Sequence, residues 1–153
     1  MADTAQPAWD LDEGIRNAEQ FFRTLPKLFP DATLFVAQGS SIVSGVAALY
    51  KQHAAPDHQR PPDLSLLVLT PRYLCAATPE FFLQLARLAA KTPRDQILHH
   101  LYLYRGTHQL IYWHDAFANA LVLSPDVPET TVAALATKFG VRYRRARARE
   151  GTS

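Results

Sequence analysis

Between Asp12 and Leu25 the apolar residues Ile15, Ala18, Phe21, Phe22 and Leu25 recur at spacings of three and four, which places them on one face of a helix. Pro26 and Pro30 are expected to break that helix, because proline has no N–H to donate. Ala32 to Ala37 is a short apolar run rich in strand formers. It leads into Gly39-Ser40-Ser41, where either serine is suited to cap a second helix that carries Ile42, Val43, Val46, Leu49 and Tyr50 and ends near His53. Residues 54–63 are polar, contain three prolines and read as a surface loop. Leu64 to Leu69 is a continuous apolar strand, Thr70-Pro71-Arg72 a turn, and Tyr73 to Ala76 a returning strand.

Thr78-Pro79-Glu80 combines a capping side chain, a proline at the first helical position and a carboxylate near the positive helix end. The helix it starts runs to Lys91 and is predicted to bury Phe82, Leu85, Ala86 and Leu88 or Ala89. Leu98 to Arg105 and His108 to Asp115 flank Gly106-Thr107, a two-residue loop whose leading glycine suits a type II′ hairpin. Ala120 to Leu123 adds a short strand, and Val141 to Arg145 reads as a final edge strand. Between them Pro128 to Phe139 forms a fourth helix, with Val132, Leu135 and Phe139 on one face and Gly140 at its stop. About four helices and six or seven strands predict an α+β fold, a mainly antiparallel sheet packed with helices in a single domain. Only the strand at 32–37 has the strand–helix–strand order that a doubly wound parallel sheet needs.

Composition agrees with this picture: 153 residues, 48% hydrophobic and 20% charged, suffice for one globular core without disulfides. The net charge of +2 is too small to make the whole domain a nucleic-acid binder. Its distribution is uneven: residues 1–141 carry eleven basic and thirteen acidic side chains, whereas residues 142–153 carry five arginines against Glu150. We therefore read a domain over residues 1–141 and a basic tail over 142–153 that starts as an edge strand. The lone Cys75 cannot form an internal bridge, no apolar run reaches the about 18 residues that span a membrane, and Met1 to Trp9 lacks the apolar core of a signal peptide. A reducing bacterial cytoplasm, no membrane association and no cofactor are the expectations.

Candidate chemistry concentrates in the hairpin. If Arg105 pairs with His108 and the ladder stays regular, His99 faces His114 and His100 faces Trp113, with His100 diagonal to Asp115. A one-residue slip would pair His100 with His114 instead and reverse the two faces. In the regular register His100 and Asp115 are candidates for a carboxylate-oriented acid–base pair in a hydrolytic or transfer reaction. No metal site is expected, because His99 and His114 are two ligands where zinc takes at least three, with His100 and Asp115 on the other face. Tyr102, Tyr104 and Trp113 would line one side of the two strands, and such aromatics are enriched where proteins bind one another. The Gly39-Ser40-Ser41 turn lacks the lysine of a phosphate-binding loop and the second glycine of a nucleophile elbow. Cys75 is expected to pack as a small hydrophobe.

Three function classes follow. A non-catalytic protein-binding domain, accessory or immunity-like on size and composition alone, ranks first, with Tyr102, Tyr104 and Trp113 against an unidentified protein partner. A small enzyme using His100 and Asp115 ranks second. Weak, nonspecific nucleic-acid binding through Arg142, Arg144, Arg145, Arg147 and Arg149 ranks third.

Overall fold

Strand alternation and helical spacing resolve into two layers, one sheet and one layer of helices. The computed structural model describes residues 6–56, 59–64 and 70–146. In chain order the elements are β1 (Trp9–Leu11), α1 (Ala18–Leu28), β2 (Leu34–Gln38), α2 (Ser44–Gln52), β3 (Arg72–Ala76), α3 (Pro79–Ala89), a 3₁₀ turn (Arg94–Gln96), β4 (His100–Arg105), β5 (His108–Trp113), β6 (Leu121–Leu123), α4 (Glu129–Phe139) and β7 (Tyr143–Arg145). The seven described strands form a single sheet in the order β3-β2-β4-β5-β6-β1-β7. Every neighbouring pair is antiparallel. The predicted α+β class holds.

Two rows of side chains, on opposite faces, cross the whole sheet. Cys75, Phe35, Leu103, Ile111, Leu123, Trp9 and Arg145 stand opposite one another strand by strand. This row faces the helices: its apolar members share one buried cluster with Phe21 and Phe22 of α1, Tyr50 of α2, Phe81 and Phe82 of α3 and Leu135 of α4. The other row is Leu74, Val36, Tyr102, Tyr112, Val122, Asp10 and Arg144. On that face a separate cluster joins Leu34, Val36 and Tyr104 to Leu64, with Leu74 and Tyr102 beside it. Among the described residues no helix residue belongs to it. Residues on either side of a pleated strand thus meet two different environments, one of packed rings and one partly open to water.

Local chemistry sets the ends of the elements. The Thr78 hydroxyl accepts from the Phe81 N–H at 3.1 Å, as its sequence context predicts, and Asn17 does the same for Gln20 at the start of α1. Gly140 ends α4 at φ 65°, a conformation that glycine adopts without strain. Pro26 does not break α1: it lies in the last turn, where a proline forgoes one N–H bond, and Phe29 N–H still closes on the Leu25 carbonyl at 2.8 Å. Neither Ser40 nor Ser41 caps α2, whose N-cap is Val43, with its N–H donated to the Gln96 carbonyl at 3.0 Å. The strand expected from Leu64 lies beyond that residue outside the described chain, and β1 is a strand that its three-residue length hid.

Both sheet edges are modified. Beside β3, Ala55 N–H donates to Leu74 and Ala76 N–H to His53, so residues 53–55 cover that edge. At the other edge β7 is three residues long and two of them are arginines.

Candidate functional site

The β4–β5 hairpin departs from regular pairing at one point. Arg105 faces His108 and Tyr104 faces Gln109, but Leu103 faces Ile111, so Leu110 is an extra residue on β5. Leu110 and Ile111 both enter the core, and from Ile111 onward every side chain is reversed relative to a regular ladder. The bulge therefore sets Leu101 opposite Trp113 and brings His100, not His99, to His114. The imidazoles of His100 and His114 stack with centroids 4.0 Å apart and planes within 7°.

Backbone features hold this end of the hairpin. Gly39 is buried where β2 leaves the sheet, and a Cβ there would lie 3.1 Å from the His99 amide, which itself donates to the Gln38 carbonyl. After β5 the chain turns with two non-glycine residues at positive φ, Asp115 at 51° and Phe117 at 69°. Ala118 and Asn119 N–H groups both donate to the Asp115 carbonyl, and Ala116 N–H donates to His99. Phe117 is buried with its ring 4.6 Å from that of Trp113, and packing of this kind compensates the backbone strain. The turn brings Asp115 back beside the stacked rings: its carboxylate lies 3.9 Å from His114 Nε2, and its backbone N–H donates to His100 Nδ1 at 3.1 Å. One donor atom each from His100, His114 and Asp115 lie within 4.8 Å of one another.

Partial burial, then the neighbouring His114, holds the pKa of His100 below the usual imidazole value, with Asp115 opposing. His100 is accordingly neutral near pH 7, with its Nδ1 lone pair facing a backbone N–H. The expected acid–base pair is corrected in this respect: the hydrogen bond to the His100 ring comes from the Asp115 main-chain N–H, and the carboxylate lies within 4.8 Å. His99 stands apart, lining a shallow cleft of about 610 Å³ with Arg94, Asp95, Asp115 and Asn119.

The aromatic trio does not share a face. Trp113 is 1% exposed on the helix side, where its Nε1 donates to the Asn119 carbonyl. Tyr104 is fully buried under Leu64, donates to the Asp63 carboxylate, and has its hydroxyl pKa pushed up to about 12, chiefly by burial. Tyr102 alone of the three remains half-buried on the helix-free face. The aromatic that sequence reasoning missed is Tyr112, 38% exposed and edge-on to Tyr102 at 5.4 Å. Adjacent Leu110-Ile111, two apolar residues in succession, is the signal that would have found the shift.

The basic end is engaged in the sheet as far as it is described. Arg144 pairs with Asp12 at 2.6 Å, and Arg145 lies 3.6 Å over the Trp9 ring while donating to the Pro7 and Pro125 carbonyls. Arg142 is exposed, and Arg147 and Arg149 lie outside the described residues. Ser40 and Ser41 are exposed ahead of α2. Cys75 is buried beneath the Tyr50 carbonyl, with its thiol pKa pushed up to about 12 by burial, which leaves it a poor nucleophile.

Ser124, His108 and Asp126 meet on the surface beside the hairpin turn, a grouping of one β5 residue with two from the turn after β6 that spacing did not reveal. His108 Nε2 contacts Asp126 at 2.9 Å and Ser124 Oγ at 3.1 Å, and Ser124 also donates to Asp126. A hydrolytic relay needs serine on one imidazole nitrogen and the carboxylate on the other. Here one nitrogen meets both, so the serine proton goes to the carboxylate. Among the described residues no helix is long and apolar enough to cross a membrane. No protein-family model matches the chain, and no curated protein or solved structure matches it either.

Proposed function

We propose that this is a non-catalytic protein-binding domain whose contact surface is the helix-free face of the sheet around Tyr102 and Tyr112. The observation that carries the reading is Tyr112, 38% exposed in the row Tyr102-Tyr112-Val122-Asp10-Arg144. Tyrosines with a polar tip and a large apolar body are the side chains that interfaces favour, and carboxylate and guanidinium at the end of the row supply a polar rim. Leu64 and Ala55 occupy the β3–β2–β4 side of the face, which directs a partner toward β5, β6 and β1. The buried, unpaired Cys75 is compatible with a reducing cytoplasm.

The enzyme reading is weaker because the Ser124 hydroxyl, 3.1 Å from the His108 imidazole, is directed to a carboxylate. Nucleic-acid binding is weaker because Arg144 and Arg145 already have intramolecular partners. The test is site-specific photocrosslinking in cells from position 112 and, as control, from Leu83, an exposed residue of α3 in the helix layer. A discrete protein adduct from position 112 and none from 83 is expected, with Tyr112→Ala weakening that complex by about 2 kcal/mol. Equal adducts from both positions, or none from 112, would overturn the reading.

A further inference from the structure

We propose that His100, His114 and Asp115 form a binding site for a late first-row divalent cation of the copper, nickel and zinc class. The inference is independent of the protein-binding reading. It reverses the sequence expectation, whose premise was that these three side chains lie on different faces; the Leu110 bulge puts His100 and His114 on the same one.

Two imidazoles and one carboxylate are the donor set that this class of cation takes, whereas magnesium and calcium prefer oxygen alone. The three donors already lie within 4.8 Å of one another, and donors on a shared ion, each about 2.0–2.2 Å from it, stand roughly 3–4 Å apart. The His114 and Asp115 side chains are 54% and 55% exposed, which leaves them room to rotate toward a shared ion. At His100 the metal bond would replace the Asp115 N–H bond to Nδ1.

A second observation is the loop itself. Asp115 and Phe117 are the described non-glycine residues at positive φ, both sit within three residues of His114, and backbone outliers of this kind gather at ligand sites. The left-handed Asp115 is fixed by two N–H groups donating to its carbonyl, while Asn119 Nδ2 reaches its carboxylate at 3.5 Å. A carboxylate held by an outer hydrogen bond is what a ligating carboxylate has around it. Three protein donors leave further coordination positions facing water.

Titration of the full, tag-free chain with Cu²⁺, followed by electron paramagnetic resonance, tests the site. Binding of about one ion per chain with coupling to two nitrogens is expected. His100→Ala and His114→Ala should each weaken it by about ten-fold or more and remove one nitrogen from the spectrum, whereas His99→Ala and His108→Ala should leave it unchanged. Far-UV circular dichroism checks each variant, and His114→Ala, a half-exposed side chain, is the decisive one should His100→Ala unfold. Zinc and nickel, which bind such a site less tightly than copper, should compete only in large excess, and magnesium and calcium should not compete. Absence of specific binding, unaltered affinity in His114→Ala, an equal loss in His108→Ala, or displacement by magnesium would each overturn the proposal.

Discussion

Asp126 shows how far the meaning of a residue depends on which atom it meets. Its pKa is held below the ordinary carboxylate value, first by the Ser124 hydroxyl and then by His108. Because the unfolded chain takes up that proton at higher pH than the folded one, the stabilisation is fully present above about pH 4, the usual value for aspartate, and is lost as pH falls through the lowered folded value. Carbon-13 titration of the carboxyl should place its midpoint below that of an exposed aspartate, and Ser124→Ala should move it up. An unmoved midpoint in that variant would show that the serine does not hold the charge. The three residue types were visible in the sequence as separate letters. Their meeting was not, since Ser124 and His108 come together only through the pairing of β6 with β5.

At the level of the hairpin, one residue decides which chemistry is shown to water. Leu110 is the unpaired member, so its deletion leaves Tyr104 opposite Gln109 and Leu103 opposite Ile111. The shortened hairpin is expected to keep its fold and the contact between His100 and His114, and to lose about 2–5 kcal/mol, as when a buried leucine is removed. Urea unfolding measures the loss, and cross-relaxation between the two imidazoles reports the register; disappearance of that contact would show that something other than the bulge sets the pairing. The helices were legible because three-to-four spacing persists over 11 residues in α1, α3 and α4. The strand at 100–105 was legible in its alternation and that at 34–38 as a short apolar run of strand formers. The register was not, because the alternation breaks at Leu110-Ile111, and a ladder taken as regular puts Trp113 on the face of Tyr102 and Tyr104 where the bulge turns it to the helices. β1 escaped notice because Trp9-Asp10-Leu11 offers only one alternation.

Across the whole molecule, the first and last described strands are fastened together. β7 pairs with β1, Tyr143 meets Trp9 edge-on at 5.9 Å, and the Arg145 guanidinium covers the same indole. Truncation after Gly140 should therefore uncover Trp9, shift its fluorescence to longer wavelength and lower the unfolding midpoint, while Arg145→Ala alone should cost about 1 kcal/mol. A truncated chain with unchanged emission and midpoint would mean that β7 contributes nothing to the fold. The covered edge at β3 and the short arginine-bearing edge at β7 have a further effect on what kind of encounter the protein can have. A row of free backbone groups would invite any extended peptide to add itself as another strand, whatever its sequence. With one margin covered and the other brief and charged, strand addition is disfavoured, and the approach left to a partner is broadside. Selectivity then belongs to side-chain shape and charge on a pleated surface, which single substitutions can retune, and not to the main chain, which they cannot.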